Sequence, residues 1–250
     1  MKAPKAAIAV FLFLCVAAAP AWALDLGVAG SYWMVNVSGD TQTSILGTNV
    51  DLESDLDLDG EGIPSVAAWF GLGKHKLWAS YTAGEFEGDS VLSRSITFAG
   101  TTFTAATPVH SELSLKMAEA LYTYKLLDLE NILAGFSVEL GAGAKYLDVE
   151  GSVASPLVTA RDDFAAPIPE VAAAVNVGIL ADIVSARVQA SGIGYDGNSM
   201  LEGRAEVSIS PIPLFGINGG YRIFAIDAEY DDYTLDTTLS GFYAVVGVSF

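Results

Sequence analysis

Over residues 238–250 the side chains change character at every step. Phe242, Ala244, Val246, Val248 and the terminal Phe250 share one parity, while Gly241, Tyr243, Gly247 and Ser249 share the other. A period of two marks an extended strand with two unlike faces, and no helix can satisfy it. The pattern recurs over residues 199–209, where Leu201, Ala205, Val207 and Ile209 oppose Glu202, Arg204, Glu206 and Ser208. Over 184–192, Val184, Ala186, Val188 and Ala190 oppose Ser185, Arg187, Gln189 and Ser191. Over 136–146, Phe136, Val138, Leu140, Ala142, Ala144 and Tyr146 oppose Ser137, Glu139, Gly141, Gly143 and Lys145. A chain built this way folds as sheet.

Ten such segments are predicted, at residues 26–37, 63–72, 76–86, 112–125, 134–149, 168–180, 183–195, 199–210, 215–228 and 238–250. The first three have mixed faces. In the fourth, Leu113, Leu115 and Met117 lie on one parity and Tyr122 and Tyr124 on the other, a phase change that suggests a bulge near Ala118. The connections alternate in length. Residues 38–62, 87–111 and 150–167 are long and 229–236 is intermediate, whereas 73–75, 126–133, 181–182, 196–198 and 211–214 are short. Every second connection is brief and the extended ones fall at odd positions, as in an up-and-down antiparallel transmembrane β-barrel with its turns in the periplasm and its longer loops outside. Ten strands put both ends of the barrel in the periplasm, and eight fit if two weak early segments are loop hairpins.

The remaining composition agrees with an export route. Lys2 and Lys5 precede an apolar stretch, residues 6–19, and Ala21-Trp22-Ala23 offers a small-x-small cleavage pattern, so residues 1–23 read as a Sec-type signal peptide and 24–250 as the barrel domain. The single cysteine, Cys15, leaves with that segment, which excludes disulfides and thiolate metal sites from the mature protein. Of 250 residues 52% are hydrophobic, with 12 Lys+Arg against 30 Asp+Glu, a formal charge of −18. Nucleic acid is excluded as a partner, because phosphate neutralisation needs clustered bases. Disorder is excluded too, because the chain has ample apolar material to bury.

In a membrane barrel the apolar parity meets lipid and the polar parity meets the lumen. On that rule the lumen receives Glu112, Lys116, Glu119, Glu139, Lys145, Glu170, Arg187, Glu202, Arg204, Glu206 and Arg222. Six acids and five bases nearly cancel, which predicts interlocked ion pairs and a plugged interior, since lone desolvated charges are costly. The acid excess falls in the loops: Asp40, Asp51, Glu53, Asp55, Asp57, Asp59 and Glu61 in the first, and Asp227, Glu229, Asp231, Asp232 and Asp236 around the last. Facing anionic lipopolysaccharide, such a rim calls for bridging divalent cations.

Asp55-Leu56-Asp57-Leu58-Asp59-Gly60 imitates the start of a calcium loop, but Val66 occupies the place of the bidentate twelfth ligand. Leu52, Leu56 and Leu58 suggest instead a strand extension with one wet face, and Asp55, Asp57 and Asp59 are a weak calcium candidate. His110 sits beside Ser111 and Glu112, but neighbours on a strand point to opposite faces, so His110 and Ser111 do not form a base–nucleophile pair. No enzyme and no cofactor are expected. Tyr122, Tyr124, Phe136, Tyr146, Tyr221, Phe242 and Phe250 fit interfacial girdles.

The final strand, with Phe242, Val246, Val248 and terminal Phe250, resembles the C-terminal signal read by the bacterial barrel-assembly machinery. Together with Asp51-Leu52, Asp55-Leu56, Tyr195-Asp196-Gly197-Asn198-Ser199, Gly219-Gly220-Tyr221-Arg222 and Ser240-Gly241-Phe242-Tyr243-Ala244, it is similar to a small family of proteobacterial outer-membrane barrels broadly of the OmpA/OmpW type. The resemblance implies a broad relation to that type of barrel and carries over no catalytic residue; the sequence as a whole is read as a monomer in the outer membrane of a Gram-negative bacterium, in contact with lipid and lipopolysaccharide. The expected role is structural or surface-interactive; a narrow channel or transporter for small solutes or apolar ligands is the alternative.

Overall fold

The computed structural model describes residues 24–42, 50–58, 60–129, 135–180, 183–212, 214–230 and 233–250. The leader reading on residues 1–23 and the acid pair Asp231 and Asp232 lie outside the described residues, as does Asp59. Thirteen strands run in chain order: β1 (Leu24–Gln42), β2 (Val50–Asp51), β3 (Glu61–Leu72), β4 (His75–Val91), β5 (Ile96–Phe98), β6 (Thr101–Phe103), β7 (Pro108–Leu129), β8 (Phe136–Ala154), β9 (Thr159–Leu180), β10 (Val184–Tyr195), β11 (Asn198–Ile212), β12 (Phe215–Tyr230) and β13 (Tyr233–Ser249). Ten of them form the antiparallel wall in which β13 returns to β1 and closes the cylinder, while β2 adds to the end of β1 and β5 pairs with β6. The seam is bonded to the last residue: Phe250 N donates to Leu26 O at 2.7 Å and Leu26 N to Phe250 O at 3.2 Å. Closure leaves no unpaired strand edge in lipid.

The alternation dictates which side chains go where. On β13, Phe242, Val246, Val248 and Phe250 are turned outward and exposed, while Tyr243 is buried. On β11, Leu201, Val207 and Ile209 are exposed while Glu202 is buried. The outward apolar stretch from Phe242 to Phe250, at a rise of roughly 3.3 Å per residue and a strand tilt near 40°, covers about 20 Å of height, close to the apolar band of an outer-membrane barrel. Tyr122 and Tyr124 stand outward toward the short-turn end and Tyr146 outward toward the other. Tyr221 and Phe242 meet edge to face with centroids 5.2 Å apart. Among the described residues no helix is long and apolar enough to cross a membrane.

Two expectations are corrected. The β4–β7 and β7–β8 ladders pass Ala118 without a break, through Tyr81↔Ala118 and Ala118↔Tyr146, so there is no bulge there; the register shift falls between Lys125 and Leu127. Two of the long connections, 87–111 and 150–167, are also largely strand. β8 and β9 continue in register up to Ala154↔Thr159 and need only a tight turn, in which Ser155 N bonds to Val158 O at 2.8 Å. β7, β8 and β9 therefore rise well above the lipid band.

Above that band the sidedness reverses. Leu115, Met117, Leu147 and Val153 point inward and are buried, as are Val35, Phe86 and Phe224. Outward at the same height are Glu85, Glu87, Asp148 and Glu150. The physical cause is a change of solvent: once a strand leaves lipid, its outer face meets water and its inner face can pack an ordinary apolar core. That core is completed by the connections. Val50, Leu52, Leu56 and Leu58 from the first, and Leu92, Ile96, Phe98 and Phe103 around the β5–β6 hairpin, are buried in the same cluster. The first loop is thus no strand extension with a wet face. Beyond β2 it turns inward and its leucines plug the top.

Candidate functional site

Beneath the plug lies a belt of buried charge. Ser80, Glu119 and Lys145 are direct cross-strand neighbours on β4, β7 and β8. Lys145 Nζ is fully buried and touches three carboxylates: Glu119 Oε1 at 2.8 Å, Glu170 Oε2 at 2.6 Å and Glu202 Oε2 at 3.2 Å. Two of these contacts are hydrogen bonds, to Glu119 and Glu170, and the third is an ion-pair contact with Glu202. Glu119 Oε2 accepts from Ser80 Oγ at 3.1 Å and from Arg204 at 3.0 Å. Arg204 also holds Glu202, whose Oε1 lies 2.9 Å from Arg222 Nε. Arg222 stacks over Trp33 at 4.3 Å, and Trp33 Nε1 donates to Gly241 O at 3.2 Å. Three acids and three bases from β7, β8, β9, β11 and β12 make a neutral knot, the condition under which charge survives out of water.

A second cluster lies nearer the short-turn end. Arg187 grips Glu139 through both terminal nitrogens, at 3.2 and 3.0 Å, and donates to Asn176 Oδ1 at 2.8 Å. Asn176 in turn donates to Glu139 Oε1 at 3.0 Å. Glu206 accepts from the Tyr243 hydroxyl at 2.8 Å. At the mouth, Asp25 accepts from Trp69 Nε1 at 2.7 Å and from Lys76 at 3.1 Å. Gly71 is the register partner of both Asp25 and Lys76, so their side chains meet across a position that has none.

Nine of the eleven residues assigned to the lumen therefore face it: Glu119, Glu139, Lys145, Glu170, Arg187, Glu202, Arg204, Glu206 and Arg222. Glu112 and Lys116 do not. They lie on the outer face above the lipid, where Lys116 approaches Glu150 at 3.5 Å and Asp148 at 4.0 Å. Their parity is the apolar one lower down, and the reversal of sidedness is what puts charge there. Alternation also missed Trp33, Trp69, Lys76, Asp25 and Tyr243, because contacts between non-adjacent strands depend on register, which the alternation alone does not set.

In the acidic first loop the described carboxylates are engaged separately. Asp55 is buried and bound by Arg94 from the next connection, and it accepts from Asp51 N at 3.1 Å, while Asp57 points to solvent at φ +53°. Hydrogen bonds from the Ser54 backbone hold the Asp51 carboxyl below the usual carboxylate range. Among the described residues no three His, Cys, Asp or Glu side chains are grouped to hold a metal ion. His110 faces outward, with Nδ1 2.9 Å from Asp89 and Nε2 3.5 Å from Glu112, while Ser111 beside it is buried within. The hydrogen bond to Asp89 raises the imidazole pKa.

Between the belt and the short turns the inward residues are small, among them Ala29, Ser31, Ser65, Ala67, Ser80, Ser208 and Gly247, and a cavity of about 820 Å³ remains. Charge belt, plug and one-ended vestibule on a closed ten-stranded barrel define a membrane barrel of the outer-membrane type. Among solved structures, the outer membrane protease OmpT from Escherichia coli aligns with a TM-score of 0.56 at 8% identity, covering 90% of this chain and 97% of that one. Ail of Yersinia pestis aligns at 0.38 and 10% identity, over 91% of this chain and 99% of that one. Neisserial surface protein A aligns at 0.37 and 12% identity, over 91% and 97%. The OmpT likeness is one of fold. No family model matches the chain, and no curated protein matches it in sequence.

Proposed function

We propose that the chain is a monomeric barrel of the Gram-negative outer membrane that closes its own lumen and serves a structural or surface-interaction role. The observation that carries this reading is Lys145, fully buried and held by three carboxylates, with the apolar plug stacked above it. A solute path would have to part both layers. The short turns and the seam between Leu26 and Phe250 share one end, which suits the periplasm, and the tall β7–β9 extension then stands outside with its acidic outer face among lipopolysaccharide headgroups. Divalent cations would bridge those acids to the anionic leaflet, and the barrel-assembly machinery would read the last strand through Phe250. The reading assigns no catalysis and no cofactor. A narrow conduit is the competing role, and planar-bilayer recording separates the two. The purified barrel is expected to give no steady unitary conductance at moderate voltage, and a sustained open level would overturn the proposal.

A further inference from the structure

The closed upper half leaves the vestibule beneath it without a purpose, yet its walls are not bland. Trp69 and Trp78 stack with centroids 5.6 Å apart and planes 12° from parallel. Trp69 is laid against the wall because Gly27 has no side chain: a Cβ there would meet the indole at 2.1 Å. The two rings, stacked on one another, both line one side of the cavity.

Around the rest of the circumference, polar groups on four different strands have no protein partner among the described residues: Ser31 on β1, the Gln189 amide nitrogen on β10, Ser208 on β11 and Asn218 on β12. The charges, by contrast, are used. Arg187 is spent on Glu139, Arg204 and Arg222 on the belt, and Lys76 on Asp25. Glu206, held by the Tyr243 hydroxyl, is an additional acceptor, which disfavours an anion.

We infer that the vestibule is a binding site for a neutral saccharide of one or two rings, entering from the periplasmic end. Its volume lies within the range of small-molecule pockets, ~300–1,000 Å³. An indole pair supplies the flat apolar surface on which the C–H face of a pyranose rests. The unpartnered donors and acceptors meet its hydroxyl and amide groups, each of which would otherwise stay with water. An aromatic hydrocarbon would use the indoles but leave those polar groups unpaired.

The test titrates the full barrel in detergent micelles with N,N′-diacetylchitobiose and maltose, and separately with naphthalene, following tryptophan fluorescence and calorimetry. Saturable one-to-one binding of at least one disaccharide is expected, weakened about tenfold by Trp78→Ala and several-fold by Asn218→Leu. Trp78→Phe, which keeps a smaller aromatic face, should fall between wild type and Trp78→Ala. Heat-modifiable gel mobility checks that each variant is folded, and Asn218→Leu carries the comparison if the tryptophan variants do not fold. The inference is overturned if neither disaccharide binds saturably, if naphthalene alone does, or if folded variants bind like wild type. Conductance is not read in any of these, so the closed-lumen reading stands or falls separately.

Discussion

Lys145 shows most plainly what a single side chain does here. Its ammonium is surrounded by Glu119, Glu170 and Glu202, each almost wholly buried. Lys145→Met removes one base and leaves three acids against Arg204 and Arg222, so one buried carboxylate has no counter-charge. Removing one partner of a buried pair costs roughly 3–5 kcal/mol, far more than the pair itself contributes. Urea titration in lipid vesicles should show a loss of that order, and Lys145→Met/Glu170→Gln should recover a substantial part of it because the knot is neutral again. Equal stability of the single and double variants would remove the charge-balance argument. His110 belongs to the same scale but to water. Its pKa is raised in the folded state by Asp89 first and Glu112 after it. The sign follows: its favourable contribution is complete below the unfolded value near 6.5 and is lost as pH rises through the folded value. In Asp89→Asn the titration midpoint followed by NMR should drop toward 6.5.

Among the elements, the β1–β13 seam is the demanding one, because it joins the two ends of the chain. At Gly241 a Cβ would lie 1.7 Å from the Met34 carbonyl oxygen, and the neighbouring obstacle is backbone rather than a side chain that could swing aside. Gly241→Ala is expected to cost about 1–3 kcal/mol by overpacking and to lower the temperature at which the heat-modifiable band shifts. Gly30→Ala on β1, whose added Cβ has nothing within 4 Å, is the control and should leave that temperature unchanged. The last strand was legible in the sequence since both of its faces keep one environment along its apolar length. β7 was not. Leu113, Leu115 and Met117 share the inward parity with Glu119, and Tyr122 shares the outward parity with Lys116. Alternation reports only that two faces differ; which one is apolar depends on whether the strand is in lipid or in water. A strand that crosses from one to the other changes its chemistry at constant phase, and that change reads as a bulge. The belt was legible as a set of residues, since Glu and Lys or Arg on a shared parity need one another, but not as contacts.

For the whole molecule, the sidedness reversal makes two barriers of different kinds in series. The upper one is hydrophobic and includes pieces contributed by connections, such as Leu56, Ile96 and Phe103. The lower one is ionic and made by barrel strands alone. Shortening the β5–β6 hairpin, with Ile96, Phe98 and Phe103 replaced by a Gly-Ser turn, should loosen the plug while leaving the belt intact. That variant is expected to remain silent in planar bilayers and to lose thermal stability, because apolar burial at roughly 25 cal/mol per Å² is forfeited without a path being opened. Adding Lys145→Ala and Arg204→Ala to it leaves Glu119, Glu170 and Glu202 with a single base, which at neutral pH draws water and cations into the lumen. Only this combined variant should conduct, with cation preference. Conductance from the hairpin variant alone would show that the ionic layer does not seal, and the barrel would then be a gated channel with a removable plug.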